Sequence, residues 1–323
     1  MIILQTTNRI KRNSKNMRRL FKITTLLFLV VCCRITAQSL DSLDSIDSLR
    51  NKIQQIVSDK KAIVGVSIIG NEGKDIVSLN GDRQFPMQSV FKFHIALAVL
   101  SQIDEGKFSL DEKIEIQKKD LLPDLYSPIR ENYPNGVILP VSEILKYTVS
   151  SSDNVGCEIL LRLIGGPEAV EEYFIKNQIK DVSIKINEVK QQSDWNLQFQ
   201  NWTTPNAANE TLAKFHYNRN NLLSEKSYDY IWKIMKETET GINRLKGQLP
   251  EGTIVAHKTG SSGTNKDGLT AAVNDIGIVF LPDGSYFFIS VFVTESKESS
   301  ETNEKIIADI AKAAWDYYSN QSN

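Results

Sequence analysis

The spacing of apolar residues separates this chain into helical and strand-forming stretches. Residues 39–58 carry apolar side chains at helical spacing, which predicts an amphipathic first helix. Two short β-branched runs follow at 63–69 and 75–79, and the turn residues between them predict a β-hairpin. From residue 85 to about residue 236 the pattern becomes mostly helical.

Strand patterns return near the C-terminus. Residues 253–259, 271–281 and 286–294 are rich in β-branched and aromatic residues, and Pro282-Asp283-Gly284 predicts the turn between the last two. Residues 304–318 then form a predicted amphipathic helix.

Together these patterns predict a discontinuous α/β (α+β) fold. The early hairpin and the three late strands would form one antiparallel five-stranded sheet, flanked by the terminal helices. Residues 38–84 and 237–323 would make up this α/β domain, and residues 85–236 an inserted all-helical domain. A cleft between the two parts is the natural place for a site.

The first 37 residues predict export. They contain eight basic residues and no acidic one, with an apolar run from Ile23 to Cys33, as in a secretory signal peptide cleaved after Ala37. The run is too short for a stable membrane anchor, so we expect a periplasmic product. Val31 is not the small residue that precedes a lipidated cysteine, which argues against an anchor through Cys32.

Removing this segment leaves 30 basic against 39 acidic residues, a net charge of about −9. Nucleic acid is therefore not an expected partner. Only Cys157 remains of the three cysteines, so the mature chain must fold without an internal disulfide. We expect Cys157 to be a buried apolar residue.

Ser89 and Lys92 stand in the first turn of the most apolar predicted helix. A spacing of three puts the hydroxyl and the amine on one helix face, at the end where backbone N–H groups are unpaired. This is the geometry of an activated serine nucleophile. A second Ser-x-x-Lys, from Ser58 to Lys61, lies among charged residues and serves as an internal comparison.

Two further motifs follow in the chain. Ser152-Asp153-Asn154 lies between two predicted helices, and Lys258-Thr259-Gly260 ends a predicted strand. The chance of finding both, in this order and these contexts, is below about one in a hundred.

With these three motifs the chain resembles the class A serine β-lactamases, in particular a divergent, extended-spectrum-like subgroup. Tyr126-Ser127-Pro128 and Arg244, six residues before Pro250, extend the resemblance. It implies the serine β-lactamase/DD-peptidase-like fold and hydrolysis of penicillins and cephalosporins through a serine acyl-enzyme, giving antibiotic resistance with a leaning toward cephalosporins. The implied partner is a small-molecule β-lactam, with no cofactor or metal, and we expect a monomer.

The resemblance also assigns chemical roles. Ser89 would attack the lactam carbonyl, and either Lys92 or Glu188 would take the proton of its hydroxyl. Backbone N–H groups of Ser89 and Ser261 would bind the oxyanion, and Ser152 would pass a proton to the leaving nitrogen.

Lys258 would also be a catalytic residue, and together with Arg244 it would attract the substrate carboxylate. The substrate contacts implied by the resemblance are Tyr126, Asn154, Gln192, Arg244, Thr259, Gly260 and Ser261.

Glu188 is the best match for the base that activates water in deacylation. The family pattern has proline and asparagine after this glutamate, where this chain has Val189 and Gln192. Glu158 and Glu210 are the alternative bases.

The arginine and aspartate that would clamp the glutamate-bearing loop are replaced by Ile186 and Asn201. We therefore expect residues 187–204 to be held differently, to open more readily and to leave a roomier site.

Two rival functions share the same motifs. A penicillin-binding DD-peptidase would lack a competent deacylation base for antibiotics, and a penicillin-sensing receptor domain would require membrane spans and an output region. The three histidines, His94, His216 and His257, lie in no cluster that would predict a metal site.

Overall fold

The computed structural model describes residues 45–321, which contain the following strands and helices. The strands are β1 (Ile63–Gly70), β2 (Asp75–Leu79), β3 (Phe85–Pro86), β4 (Lys113–Gln117), β5 (Gly136–Pro140), β6 (Val182–Ser183), β7 (Trp202–Thr203), β8 (Val255–Ser261), β9 (Val273–Phe280) and β10 (Tyr286–Thr294). The α-helices are α1 (Ile46–Val57), α2 (Phe91–Asp104), α3 (Pro128–Asn132), α4 (Val141–Ser150), α5 (Asn154–Ile164), α6 (Pro167–Lys176), α7 (Glu188–Ser193), α8 (Pro205–Tyr217), α9 (Glu225–Lys236) and α10 (Ser300–Gln321).

The predicted five-stranded antiparallel sheet is confirmed, with the spatial order β2-β1-β10-β9-β8. β10 lies at its centre and is buried along nearly its whole length, consistent with its β-branched and aromatic composition. The turn between β9 and β10 lies where Pro282-Asp283-Gly284 predicts it, and Gly284 adopts a positive φ of 87° there. β8 forms one edge of the sheet, beside the site described below.

Several of the predicted boundaries change. β8 runs to Ser261, because Ser261 pairs with Val273 of β9, so Lys258-Thr259-Gly260 lies within the strand rather than at its end. The C-terminal helix is longer than predicted and spans Ser300–Gln321. The first predicted helix is described as Ile46–Val57; its predicted start and the signal peptide lie outside the described residues.

The region from 85 to 236 is mostly helical and also contains five short strands that the helical pattern did not predict. β4 pairs with β5, and β7 joins β3 to β6. β3, β6 and β7 have two residues each, too few to show a periodicity in the sequence. The domain boundaries proposed above stay a prediction.

Helix α2 is the core of this region. All residues from Phe91 to Leu100 are buried, and the helix packs against α4, α5, α6 and α9. This confirms the buried helix predicted behind Ser89 and Lys92. Among residues 45–321, no helix is long and apolar enough to cross a bilayer.

Candidate active site

The Ser89 hydroxyl and the Lys92 amine meet at the N-terminal end of α2. Ser89 lies in a 3₁₀ turn, Gln88–Val90, that leads directly into the helix. The Lys92 Nζ donates a hydrogen bond of 2.9 Å to Ser89 Oγ. The spacing of three therefore brings the two groups together as predicted.

Lys92 is fully buried and surrounded by polar atoms. Its Nζ also donates to Ser152 O at 2.8 Å and to Asn154 Oδ1. Glu188 Oε1 lies 2.9 Å from the same Nζ. Because an ammonium has three N–H groups and these bond the other three partners, Glu188 contributes its charge and its Oε1 accepts no hydrogen bond from the described residues.

The connection from Ser152 to Asn154 is held by the Asp153 side chain. The carboxylate accepts hydrogen bonds from Ile129 N and Gly156 N, both at 2.7 Å, and from Ser127 Oγ at 2.8 Å. It thereby caps α5 and fixes the start of α3. Burial raises the pKa of this carboxyl, and its hydrogen bonds oppose the shift.

β8 brings a second buried amine to Ser152. The Nζ of Lys258 donates to Ser152 Oγ and to Thr259 O, each at 3.0 Å. Burial lowers the pKa of Lys258 well below its usual range, and the nearby Lys92 cation lowers it further. Ser152 thus contacts both lysines, one through its carbonyl and one through its hydroxyl.

Gly260 lets the edge of the sheet approach the turn before α2. A Cβ atom at this position would lie 2.4 Å from Met87 O, directly before the turn that carries Ser89. A larger residue would push β8 away from that turn, so the motif has glycine at this position for steric reasons.

Arg244 lies beside β8 and is almost fully engaged. Its Nη1 donates to Gly260 O at 3.1 Å and Asn274 O at 3.0 Å, and its Nη2 donates to Ser261 Oγ at 2.7 Å. Its Nε donates to Glu304 Oε1 of α10 at 3.2 Å. Four of the five guanidinium N–H groups are therefore used within the described chain, and one Nη2 hydrogen remains for a ligand.

Glu188 begins the short helix α7, and its side chain is buried facing Lys92. Gln192 Nε2 donates to Glu188 Oε2 at 3.2 Å, so Gln192 contacts the carboxylate that the family pattern pairs with an asparagine. Asn187 caps the helix through Lys190 N.

The loop that carries Glu188 is held differently from the family pattern, as expected, and its readier opening stays a prediction. The ion pair is absent, but Asn201 Oδ1 accepts from Lys185 N at 2.9 Å and Ile186 N at 3.1 Å. Asn201 Nδ2 donates to Ile186 O at 2.9 Å and to Gln191 Oε1 at 2.8 Å. A neutral amide with four hydrogen bonds thus replaces the charged clamp.

A chain of side-chain amides also joins this loop to Gln88, the residue before Ser89. Gln88 donates to Gln198 Oε1 at 2.6 Å and accepts from Gln191 Nε2 at 3.2 Å. Gln198 in turn donates to Trp195 O at 2.7 Å. These glutamines could not be predicted from the sequence, because no local pattern shows that they face one another.

A cavity of about 670 Å³ opens over these groups. Lys92 and Lys258 lie beneath it, and the other ten predicted site residues line it: Ser89, Tyr126, Ser152, Asn154, Glu188, Gln192, Arg244, Thr259, Gly260 and Ser261. Asp124, Asp194, Trp195 and Thr240 also line the cavity and were not predicted.

The alternative bases lie elsewhere. Glu158 is outside the cavity lining and accepts hydrogen bonds from Asn187 Nδ2 at 2.8 Å and Val189 N at 3.2 Å, which supports the loop. Glu210 is exposed on α8.

Cys157 and the histidines lie apart from the cavity. Cys157 is a buried free thiol, as predicted, and burial raises its pKa. His94 and His257 are buried, and His257 Nδ1 lies 3.0 Å from both carboxylate oxygens of Asp275. No group of three potential metal ligands occurs among residues 45–321.

The model of the β-lactamase enzyme family matches residues 48–318, nearly the whole described chain. The chain belongs to this family. It is 57% identical to β-lactamase VEB-1 of Pseudomonas aeruginosa over 270 residues, covering 84% of this chain and 90% of VEB-1. It is 45% identical to the extended-spectrum β-lactamase PER-1 of the same organism over 284 residues, 88% of this chain and 91% of PER-1.

The solved structures agree. The TLA-1 extended-spectrum β-lactamase superposes with a TM-score of 0.81 at 51% identity, covering 84% of this chain and 98% of TLA-1. The resemblance to class A β-lactamases is thus confirmed, and the protein is a β-lactam hydrolase. The arrangement of the site residues is what supports a mechanism for this hydrolysis.

Proposed function

We propose that this β-lactamase hydrolyses its substrates through an acyl-enzyme on Ser89, with Glu188 activating water in the second step. The observation that carries the proposal is the buried Lys92 amine, which contacts Ser89 Oγ and Ser152 O while Glu188 lies 2.9 Å away. Nucleophile, proton carriers and a carboxylate thus meet at one cavity wall.

In the first step, Ser89 Oγ attacks the lactam carbonyl carbon. The hydroxyl proton leaves toward the coupled Lys92–Glu188 pair, and backbone N–H groups of Ser89 and Ser261 stabilise the oxyanion. The ring C–N bond then breaks. Ser152 delivers its proton to the departing nitrogen and is reprotonated through Lys258, which donates a hydrogen bond to it, so that the net transfer is of the Ser89 proton to the nitrogen.

In the second step, water attacks the ester carbon and Glu188 takes its proton. Glu188 is buried, lines the cavity and has an oxygen that accepts no hydrogen bond from the described chain, so this oxygen can accept one from the reacting water. The ester bond breaks and the proton returns to Ser89. This carboxylate also separates the proposal from a DD-peptidase or a sensor domain, which would stop at the acyl-enzyme.

The test uses the two Ser-x-x-Lys motifs as a matched pair. The wild-type protein should convert many equivalents of a chromogenic cephalosporin, and Ser89→Ala should abolish both turnover and covalent labelling by penicillin in intact-protein mass spectrometry. Ser58→Ala, which alters the exposed motif, should behave as wild type. A single-turnover burst in the wild type, or labelling that survives Ser89→Ala, would refute the mechanism.

We also propose that bulky cephalosporins are among the substrates. The cavity of about 670 Å³ is in the usual range for drug-sized ligands, and PER-1 and TLA-1 are both named extended-spectrum β-lactamases. The measurement is the ratio of kcat/KM for a bulky oxyimino-cephalosporin to that for benzylpenicillin. A ratio below about one in a thousand, some 4 kcal/mol of discrimination against the larger drug, would contradict the proposal.

We also propose that the protein is exported and that it is a monomer. The basic and apolar start of the chain supports a cleaved signal peptide, although this segment lies outside the described residues. The mature protein should begin at Gln38 and be found in the periplasm, which N-terminal sequencing of the fractionated protein tests. Static light scattering of the same sample should give the mass of one chain.

A further inference from the structure

The wall of the cavity that includes Tyr126 belongs to a segment without regular structure. Between the 3₁₀ turn at Lys118–Asp120 and helix α3, residues 121–127 form neither helix nor strand. Tyr126 lines the cavity with its side chain 53% exposed, and Asp124 lines it as well. Some other contact must therefore fix the backbone of this wall.

Arg130 provides that contact. Its Nη1 lies within hydrogen-bonding distance of three carbonyl oxygens of the segment, which share its two N–H groups: Leu122 at 2.5 Å, Pro123 at 2.7 Å and Leu125 at 2.7 Å. One cation thus binds the backbone on both sides of Asp124, directly before Tyr126. Charge-assisted hydrogen bonds of this length are stronger than neutral ones, and the planar guanidinium holds them in a fixed direction.

The backbone of Arg130 is anchored to the catalytic connection. Arg130 N donates to Ser127 Oγ at 3.1 Å, and Ser127 Oγ donates to Asp153 Oδ2 at 2.8 Å. Ile129 N donates to the same carboxylate oxygen at 2.7 Å. The helix that carries Arg130 is therefore fixed to the residue between Ser152 and Asn154.

The other end of the wall is attached to the same connection. Asn154 N donates to Tyr126 O at 3.0 Å. The Tyr126 backbone is thus held directly from Asn154, while the preceding residues are held through Arg130. The two attachments together fix the wall relative to the groups beside the nucleophile.

We propose that Arg130 is a positioning residue that holds the Tyr126 wall against the acylamino side chain of the substrate. This inference rests on the proposed function, and it takes Tyr126, which lines the cavity, as the residue that contacts that side chain. Arg130 does not line the cavity, so it acts on the substrate through the segment that it holds. Loss of the guanidinium should weaken binding of substrates that touch the wall and leave the chemistry at Ser89 in place.

The test is a double-mutant cycle with Arg130→Ala, Tyr126→Ala and the double variant. For a cephalosporin with a bulky acylamino group, Arg130→Ala should raise KM about fivefold with kcat within about twofold of wild type. In the Tyr126→Ala background the same change should have little further effect. With 7-aminocephalosporanic acid, which lacks the acyl group, Arg130→Ala should leave KM unchanged in either background.

Arg162→Ala is the matched control. Arg162 lies nearby and its Nη1 donates to Asp120 Oδ1 at 2.9 Å, just before the wall segment, so its loss should leave KM unchanged. If Arg130→Ala does not fold, as judged by circular dichroism, Arg130→Lys is used, because its shorter side chain reaches the three carbonyls less well.

Equal effects of the Arg130 change in both backgrounds, an unchanged KM, or a rise with 7-aminocephalosporanic acid would overturn the inference. Failure of the proposed function would look different, since the wild-type protein would then turn over none of these compounds.

Discussion

Among single residues, the buried Lys92–Glu188 pair has the greatest chemical consequence. Both side chains are withdrawn from water, and their charges lie 2.9 Å apart beside the nucleophile. Removing one member of a buried pair leaves the other uncompensated, so a substitution should preserve size and polarity to be informative.

We expect Glu188→Gln to stall the reaction after acylation. The amide cannot take a proton from water, so kcat should fall by about a hundredfold or more while the acyl-enzyme accumulates. Intact-protein mass spectrometry after brief exposure to benzylpenicillin measures the adduct. Glu158→Gln, which alters a partly buried glutamate supporting the same loop, is the control and should retain turnover. Similar turnover in Glu188→Gln and wild type would show that Glu188 is not the base.

His94 links stability to pH. It is fully buried against the rings of Phe93 and Phe174, and burial lowers its pKa from 6.5 to about 4. Below pH 6.5 the unfolded chain gains a proton at this residue that the folded chain does not bind until about pH 4. The stabilisation is therefore complete above pH 6.5 and is lost as the pH falls toward 4.

We expect His94 to account for about 2 kcal/mol of the fall in unfolding free energy between pH 7.5 and pH 5. Urea unfolding of wild type and His94→Leu at both pH values measures this difference. The variant should lose less stability on acidification than wild type does. Parallel losses in the two proteins would rule out this assignment.

The sequence predicted the positions of the residues that we propose to react, because each belongs to a short motif in a recognisable context. Ser89, Ser152 and Lys258 all lie where the motifs put them, and Glu188 faces Lys92 despite the altered residues around it. Arg130 and Gln88 were missed, because their importance comes from carbonyl and amide partners that only the folded loops bring near.

Among the secondary-structure elements, the loop around α7 shows how hydrogen bonds can hold a loop in place of an ion pair. Asn201 makes four hydrogen bonds at the place where the family pattern has an ion pair. The sequence showed that the two charged residues are missing. It could not show that the Asn201 amide bonds both N–H and C=O groups of residues 185 and 186, on the opposite side of the loop.

We expect Asn201→Ala to lower the unfolding free energy by about 3 kcal/mol, since it leaves buried N–H and C=O groups at residues 185 and 186 without partners. Deacylation should slow as well, because α7 positions Glu188. Chemical denaturation and the rate of acyl-enzyme decay measure the two effects. Asn132→Ala is the control: this exposed amide bonds only Tyr147 Oη among the described residues, and its loss should cost under about 0.5 kcal/mol. An effect of Asn201→Ala no larger than this control would show that the loop is held elsewhere.

The long strands and helices were predictable because each carries several periods of its pattern. β2 and β10 have the predicted bounds, whereas β3 and β7 consist of two residues each and exist only because Phe85 pairs with Thr203 and Pro86 with Trp202. Such pairings join residues more than a hundred positions apart, so no local window contains them.

Across the chain as a whole, the site depends on the C-terminal helix, which lies far from the motifs in sequence. Glu304, in the first turns of α10, accepts a hydrogen bond from Arg244 Nε at 3.2 Å, and Arg244 in turn bonds Gly260 and Ser261 of β8. The predicted sheet flanked by a terminal helix accounts for this proximity, although the pairing itself could not be seen in the sequence.

We expect Glu304→Ala to weaken substrate binding more than catalysis. Without its carboxylate partner, Arg244 should be held less firmly beside Ser261, and its remaining Nη2 hydrogen should bind the substrate carboxylate less well. A contact made equally in the bound and transition states affects KM, so KM for benzylpenicillin should rise about fivefold with kcat nearly unchanged. Glu301→Ala removes an exposed carboxylate from the same end of α10 and should leave KM as in wild type. If both variants shift KM alike, the helix acts through its overall charge, and the specific contact between Glu304 and Arg244 does not matter for binding.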